Sequence, residues 1–209
     1  MKRWGVIGLA IAALVAGLVA APGASAQRAE GAATVQVNVS PVDLNGKVRP
    51  GYEIAATLFG VNCYTSSDLF PGTYRCILGN NILDPCWPRI DAHGRYHGSY
   101  CMRLPWLHAG IVVRGKHVPL RHEKGRRLWG LHTTDGYGCS ISGGAHDVFH
   151  GQVVLWRCAS GARALLAMPD RSTAQWQITE VTWSNGHYHD PHRVGITKAW
   201  YAVSPFGLG

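Results

Sequence analysis

Hydrophobic and polar residues alternate along much of this chain, and the alternation predicts β-strands. The clearest example is Thr34-Val35-Gln36-Val37-Asn38-Val39, which places three valines on one face of an extended segment. A second extended run follows at residues 52–59, after a break at Pro41 and Asn45-Gly46. Sustained helical periodicity occurs only in the N-terminal leader described below. We therefore predict a mainly β fold.

The second half of the chain predicts a meander of antiparallel strands. Extended segments occur at 137–141, 152–158, 163–167, 175–183 and 194–203. Turns that contain Gly or Asn separate them, as at Ser142-Gly143-Gly144, Ser160-Gly161 and Asn185-Gly186. Strands with this spacing are typical of a sheet that curls into a sandwich or a small barrel.

Between Cys63 and Cys101 the alternation weakens and turn-forming residues dominate, among them Pro71-Gly72, Pro85 and Pro88. The sequence predicts a loop-rich region with too little continuous apolar sequence to hold its own shape. Four cysteines fall within it, where crosslinks would contribute about 2–4 kcal/mol each. We expect the N-terminal half to depend on disulfides.

The first 26 residues have the pattern of a secretory leader. Met1-Lys2-Arg3 is a positive start, a long apolar run follows, and Ala24-Ser25-Ala26 is a small-x-small cleavage site. Retention of the run as a membrane anchor is the alternative, but the run is short for a bilayer span. We predict a secreted, extracellular protein with no transmembrane segment in its mature form.

This interpretation sets the expected domain organisation. It comprises a signal peptide at 1–26, a flexible tail at 27–33, and a single disulfide-stabilised β-rich domain at 34–209. A subdivision of that domain near 103–110 is the alternative, because the segment from 103 to 107 is predicted to be a connector.

All six cysteines lie beyond the leader: Cys63, Cys76, Cys86, Cys101, Cys139 and Cys158. An even number of cysteines in an exported chain is typical of a disulfide framework. Among the many connectivities, the sequence favours neighbours along the chain: Cys63–Cys76, Cys86–Cys101 and Cys139–Cys158. A zinc site is the competing interpretation, but no Cys-x-x-Cys pair occurs.

Several short motifs follow one another along the chain: Tyr74-Arg75-Cys76, Gly79-Asn80, Asp84-Pro85-Cys86, Cys101 with Pro105-Trp106, Trp129, Gly138-Cys139, Trp156-Arg157-Cys158, Pro169-Asp170-Arg171-Ser172 with Trp176, and Ala199-Trp200. As a set they resemble a group of secreted actinobacterial proteins of unknown function. The resemblance implies export and paired cysteines. It implies no mechanism.

Basic residues outnumber acidic ones, and the net charge is +8 at pH 7. The positive electrostatic potential that results favours anionic partners, and we expect the partner to be an anionic cell-envelope polymer or a protein. Residues 114–127 contain a single acid and the candidate anion-binding residues Arg114, Lys116, Arg121, Lys124, Arg126 and Arg127. A solvated surface loop is the alternative. Aromatic residues are not interleaved with these charges, which argues against a platform for single-stranded nucleic acid.

Histidines provide the second candidate chemistry. His187 and His189 share one side of an extended backbone, and His146 and His150 form another group. Imidazoles with a carboxylate suit Zn²⁺ or Cu²⁺, although solvated loop histidines are the alternative. No His-Glu-x-x-His or Gly-x-Ser-x-Gly motif occurs, and no pair of carboxylates stands out.

The sequence therefore favours a non-catalytic binding or cell-envelope interaction module that needs no cofactor. The alternative is a metal-assisted extracellular hydrolase that uses His187 and His189 with His146 or His150 as a third ligand.

Overall fold

The computed structural model describes residues 31–141 and 143–207, which belong to one compact unit. The predicted signal peptide, residues 27–30 of the predicted tail and Ser142 lie outside the described residues. The described part of the chain is all-β. Its fourteen strands are β1 Val35–Val39, β2 Glu53–Phe59, β3 Asn62–Ser66, β4 Tyr74–Leu78, β5 Asn81–Ile90, β6 Tyr96–Cys101, β7 Ala109–Arg114, β8 Arg126–Thr133, β9 Gly138–Ile141, β10 Val148–Phe149, β11 Gln152–Cys158, β12 Arg163–Asp170, β13 Gln177–Ser184 and β14 His187–Val203.

Six strands of the second half form a closed barrel. Their order is β14-β13-β12-β11-β9-β8, and β14 closes the ring by pairing with β8. The length of β14 makes this closure feasible. Its first half pairs with β13 as far as Gly195, and its second half pairs with β8 from Ile196 onward. The barrel interior holds large apolar side chains such as Leu131, Trp156 and Leu165.

β1 adds to the second half of β14 in parallel, with Val35 opposite Lys198 and Val39 opposite Ala202. Because β8 occupies one edge of β14 there, β1 occupies the other. The N-terminal strand of the described chain is thus held by the last one.

Six other strands form a second sheet in the order β2-β7-β6-β5-β4-β3, and the short β10 pairs with β11 beside the barrel. The pair β2–β7 is parallel, and the others are antiparallel. Both faces of its centre are buried, because successive residues alternate between two cores. Trp87 and Tyr100 face one side, whereas Cys86 and Cys101 face the other.

The two sheets share a core rich in aromatic rings. Trp87 of the second sheet lies 5.6 Å from Trp129 on the barrel, measured between ring centroids. The indole Nε1 of Trp87 donates a hydrogen bond to the carbonyl of Val203 at 2.9 Å. Trp200 also faces this core from β14. The barrel and the second sheet therefore pack as one body.

Three disulfides join neighbouring strands. Cys63–Cys76 links β3 to β4, Cys86–Cys101 links β5 to β6, and Cys139–Cys158 links β9 to β11. This is the pairing that the sequence favours. The first two bridges pack together, since the sulfurs of Cys76, Cys86 and Cys101 lie within 4.8 Å of one another. With every cysteine in a disulfide, none is a thiolate ligand for zinc.

The region from Cys63 to Cys101 is more regular than the sequence indicates. Strands β3 to β6 lie there, linked by tight turns such as the one at Gly79. Their pairing is interrupted by register shifts in every hairpin. Strands broken in this way lose the strict alternation by which a sequence reveals them.

Residues 103–108 do not separate two parts of the fold. They connect β6 to β7 within the second sheet, and the chain passes to the barrel at 115–125 instead. The connector also packs on the barrel wall, where a Cβ atom on Gly130 would lie 2.3 Å from the Cγ of Pro105. Only a glycine permits so close an approach.

Three disulfides are typical of extracellular proteins. Among the described residues, no helix is long and apolar enough to cross a membrane.

We predict that the double substitution Cys86→Ala and Cys101→Ala lowers the free energy of unfolding by about 2–4 kcal/mol. The bridge closes a sequence separation of 15 residues and lies at the centre of the second sheet. Guanidinium unfolding monitored by tryptophan fluorescence measures the effect. An unchanged midpoint and slope would show that packing alone holds this sheet.

Candidate functional site

The basic segment, residues 114–127, leads from the second sheet to the barrel. Its first part runs beside β3 and is held there by backbone hydrogen bonds. The amide of Cys63 donates to the carbonyl of Lys116 at 2.8 Å, and the amide of Val118 donates to the carbonyl of Cys63 at 3.2 Å. The backbone of the segment is thereby fixed while its charged side chains reach into solvent.

All six candidate anion-binding side chains are exposed: Arg114, Lys116, Arg121, Lys124, Arg126 and Arg127. Within the described part of the chain, none forms an ion pair with a carboxylate. Arg126 is oriented by the ring of Tyr201, 4.2 Å away, and by Asn38 Oδ1 at 3.0 Å. The positive charge of the segment is therefore uncompensated.

This segment carries most of the excess charge of the molecule. Its 14 residues contain six Lys or Arg and one acid, Glu123. The other described residues contain eleven Lys or Arg and ten Asp or Glu. The positive field is consequently concentrated on one side of the fold rather than spread over the surface.

A groove of about 470 Å³ opens between the basic segment and the end of β3. Its lining residues are Thr65, Ser66, Ser67, Asp68, Val118, Pro119, Arg121 and Glu123. A second depression of about 320 Å³ shares Ser67, Asp68 and Glu123 with it and reaches Lys124, Arg126 and Arg127. We call the two together the basic trough. It offers hydroxyls, two carboxylates and four cations.

A buried carboxyl group lies beside the basic trough. The side chain of Asp84 is 3% exposed and accepts a hydrogen bond from Nε of Arg75 at 3.1 Å. Burial raises its pKa to about 6, although hydrogen bonds from Ser67 and Arg75 oppose the rise. Arg75 also reaches Asp68, which lines the trough, at 3.7 Å. Protonation of Asp84 therefore changes the charge balance around Arg75.

A second cluster lies at one end of the barrel. Glu180 on β13 is fully buried. It pairs with Leu165 on one side and with His192 on the other, and so shares the inward face with them. Neither of its carboxylate oxygens has a hydrogen-bond partner. Arg163 Nη1 lies 3.3 Å from Oε1, but its hydrogen bond goes to Thr182 Oγ1 at 2.6 Å.

Two exposed side chains cover Glu180. Asp135, in the turn between β8 and β9, His192 on β14 and Glu180 each place one ligand atom within 4.8 Å of the others. Burial raises the pKa of Glu180, and the negative charge of Asp135 raises it further, whereas Arg163 and His192 lower it. We call Asp135, Glu180 and His192 the barrel-end cluster.

The four histidines singled out from the sequence do not meet. Tyr188 faces the 147–149 segment, with its hydroxyl 2.8 Å from Asp147 Oδ2. Its neighbours His187 and His189 therefore face the opposite side of β14. Nδ1 of His146 lies 3.2 Å from the carbonyl oxygen of Val154, and the ring of His150 stacks on that of Phe149. In the described residues, none of these four belongs to a compact group of three ligands.

His189 instead bridges two polar side chains. Its Nε2 lies 2.6 Å from Ser184 Oγ, and its Nδ1 lies 2.6 Å from Asp190 Oδ2. The connectivity is that of a Ser-His-Asp relay. The trio lies at a hairpin tip, however, where the side chain of Asp190 is 77% exposed, and water screens such a carboxylate from the imidazole. The arrangement fits a hydrogen-bonded hairpin end.

Sequence reasoning missed the barrel-end cluster. Its members are distant along the chain and match no spacing motif. One signal existed within 175–183, where Trp176, Ile178 and Glu180 share the alternation of inward positions. An acidic residue at an inward position between apolar ones predicts a buried carboxylate, which requires a partner.

Comparisons of the chain with known protein families, with curated proteins and with solved structures find no match. We therefore base the function on the chemistry of the basic trough and of the barrel-end cluster.

We predict that Asp84 makes the folded protein less stable as the pH rises from about 4 to about 7. Because its pKa is raised on folding, the folded state holds a proton that the unfolded state has released in this range. Relative to Asp84→Asn, the wild type should lose about 2–3 kcal/mol of unfolding free energy across the range.

Urea unfolding of both proteins at several pH values measures this difference. Glu53→Gln, at an exposed position of β2, is the control and should follow the wild type. Parallel pH profiles for the wild type and Asp84→Asn would contradict the raised pKa.

Proposed function

We propose that the protein is a secreted, non-catalytic module that binds an anionic polymer of the cell envelope along the basic trough. The observation that carries this proposal is the concentration of unpaired Lys and Arg side chains on the 114–127 segment, beside the two depressions of the basic trough. A repeating anion fits this surface because several of its charges can be held at once by cations that follow one another along the segment.

Binding of this kind is a sum of weak contacts. An exposed ion pair contributes about 0.2–1 kcal/mol, and salt screens it. Several contacts made by one chain reinforce one another, because each bound charge raises the local concentration of the next. The cationic side also draws anions toward the trough before contact.

The other lining residues favour a carbohydrate-like polymer over a simple phosphate chain. Thr65, Ser66 and Ser67 offer hydroxyls, and Asp68 and Glu123 offer carboxylates that accept hydrogen bonds from sugar hydroxyls. Carboxylates among the cations would repel a uniformly dense anion. A polymer with charges spaced between neutral hydroxylated units avoids that repulsion.

Secretion is part of the same proposal. The leader pattern in the first 26 residues and three disulfides agree with an oxidising compartment. The resemblance of the sequence motifs to secreted actinobacterial proteins of unknown function is in keeping with the same location. A surface of fixed cations suits a protein that works at a polyanionic wall.

The test uses dextran sulfate as an anionic probe and neutral dextran of equal length as its counterpart. We expect dextran sulfate to bind in low salt and to weaken as NaCl rises, with no binding of dextran. The triple substitution Arg121→Gln, Lys124→Gln and Arg127→Gln should weaken binding about tenfold, because three ion pairs contribute roughly 1.5 kcal/mol. Calorimetry or fluorescence anisotropy measures the affinity.

A matched control removes the same charge elsewhere. Lys47, Arg49 and Arg103 are exposed and lie outside the basic segment, so their triple substitution by Gln lowers the net charge equally. It should leave most of the affinity. If both triple variants lost the same affinity for dextran sulfate, binding would depend on net charge alone, and a site at the trough would be refuted.

A further inference from the structure

We infer that the barrel-end cluster binds a Zn²⁺ ion through Asp135, Glu180 and His192. The starting point is Glu180, which is fully buried with neither oxygen hydrogen-bonded. A buried carboxylate without hydrogen bonds is costly, and Arg163 Nη1, 3.3 Å from Oε1, offsets only part of the cost that a metal ion could offset further. Glu180 lies at the end of the barrel, below the exposed side chains of Asp135 and His192.

The orientation of His192 is the second observation. Its Nδ1 lies 3.0 Å from the carbonyl oxygen of Asp190. A carbonyl oxygen only accepts, so in this hydrogen bond Nδ1 is the donor, and Nε2 is the nitrogen that can bind a metal. A hydrogen bond from the other ring nitrogen to a carbonyl is how metal-binding histidines are commonly held.

The free nitrogen faces the buried carboxylate. Nε2 of His192 lies 3.7 Å from Oε1 of Glu180, which is too long for a hydrogen bond. Two ligands of one tetrahedral zinc ion, with bonds of about 2.0–2.1 Å, stand roughly 3.3–3.4 Å apart. The two acceptors are therefore spaced almost as ligands of a shared ion.

Asp135 supplies a third ligand from the turn between β8 and β9, and the fourth position is open to water. One nitrogen and two carboxylate oxygens suit Zn²⁺. Three ligands are too few for Ca²⁺, which takes six to eight oxygens.

Arg163 is the only Lys or Arg that forms an ion pair with Glu180 among the described residues. Its guanidinium donates to Thr182 and lies over the ring of Tyr137 at 5.5 Å. The cluster holds two carboxyl groups and one guanidinium. A divalent cation is thus still attracted, and Arg163 limits how tightly it binds.

Calorimetric titration of the full chain with ZnCl₂ at neutral pH tests the inference. We expect one ion per chain and a melting temperature that rises with Zn²⁺ concentration. His192→Ala and Asp135→Asn, both at exposed positions, should each weaken binding by more than about tenfold. Glu180→Gln should do the same, and CaCl₂ should give no binding.

The double variant His187→Ala and His189→Ala is the matched control, because it removes neighbouring histidines of the same strand. It should bind Zn²⁺ as the wild type does. The inference fails if the wild type binds no Zn²⁺, since Arg163 would then be the counter-charge of Glu180. It also fails if the control variant loses binding while His192→Ala retains it, which would place the ion at surface histidines.

Discussion

The backbone hydrogen bonds along both edges of β14 are the constraint on which the rest of the structure depends. One half of this strand pairs with β13, and the other half pairs with both β8 and β1. Removing its second half would open the barrel and expose unpaired strand edges. Its first half is equally important for chemistry, because it carries His192 to the buried carboxylate of Glu180.

The second sheet is stabilised in a different way from the barrel. Its centre is buried on both faces, by the aromatic core shared with the barrel and by a core built around two adjacent disulfides. The long connection between the two sheets cannot enter either core. It crosses the surface as the basic segment, and its charges line a trough because the end of β3 forms the opposite wall.

Much of the fold follows from local sequence pattern. The alternating valines predict β1, and the segment 152–158 predicts β11, and both are confirmed. Neighbouring cysteines pair because adjacent antiparallel strands bring them opposite each other, as for Cys139 and Cys158. The strands between Cys63 and Cys101 were harder to predict, since prolines and register shifts erase their alternation.

The candidate sites differ in how far sequence reveals them. Exposed cations of the basic segment are contiguous, so composition alone indicates their shared surface. The barrel-end cluster depends on barrel closure, which brings Asp135 and His192 to Glu180 from three separate strands or turns. Local pattern carries no information about such closure. His187 and His189 lie on either side of Tyr188, which faces the 147–149 segment, so alternation along β14 directs both histidines away from His146 and His150.

The parallel pairing of β1 with β14 also shapes how the chain folds. Val35 meets its partner Lys198 only after all the residues between them have been synthesised. Contacts of such high sequence separation slow folding, because a long loop must close before the contact is gained. β1 can therefore pair only after β14 has been synthesised. A nascent chain that ends before β14 cannot complete this architecture.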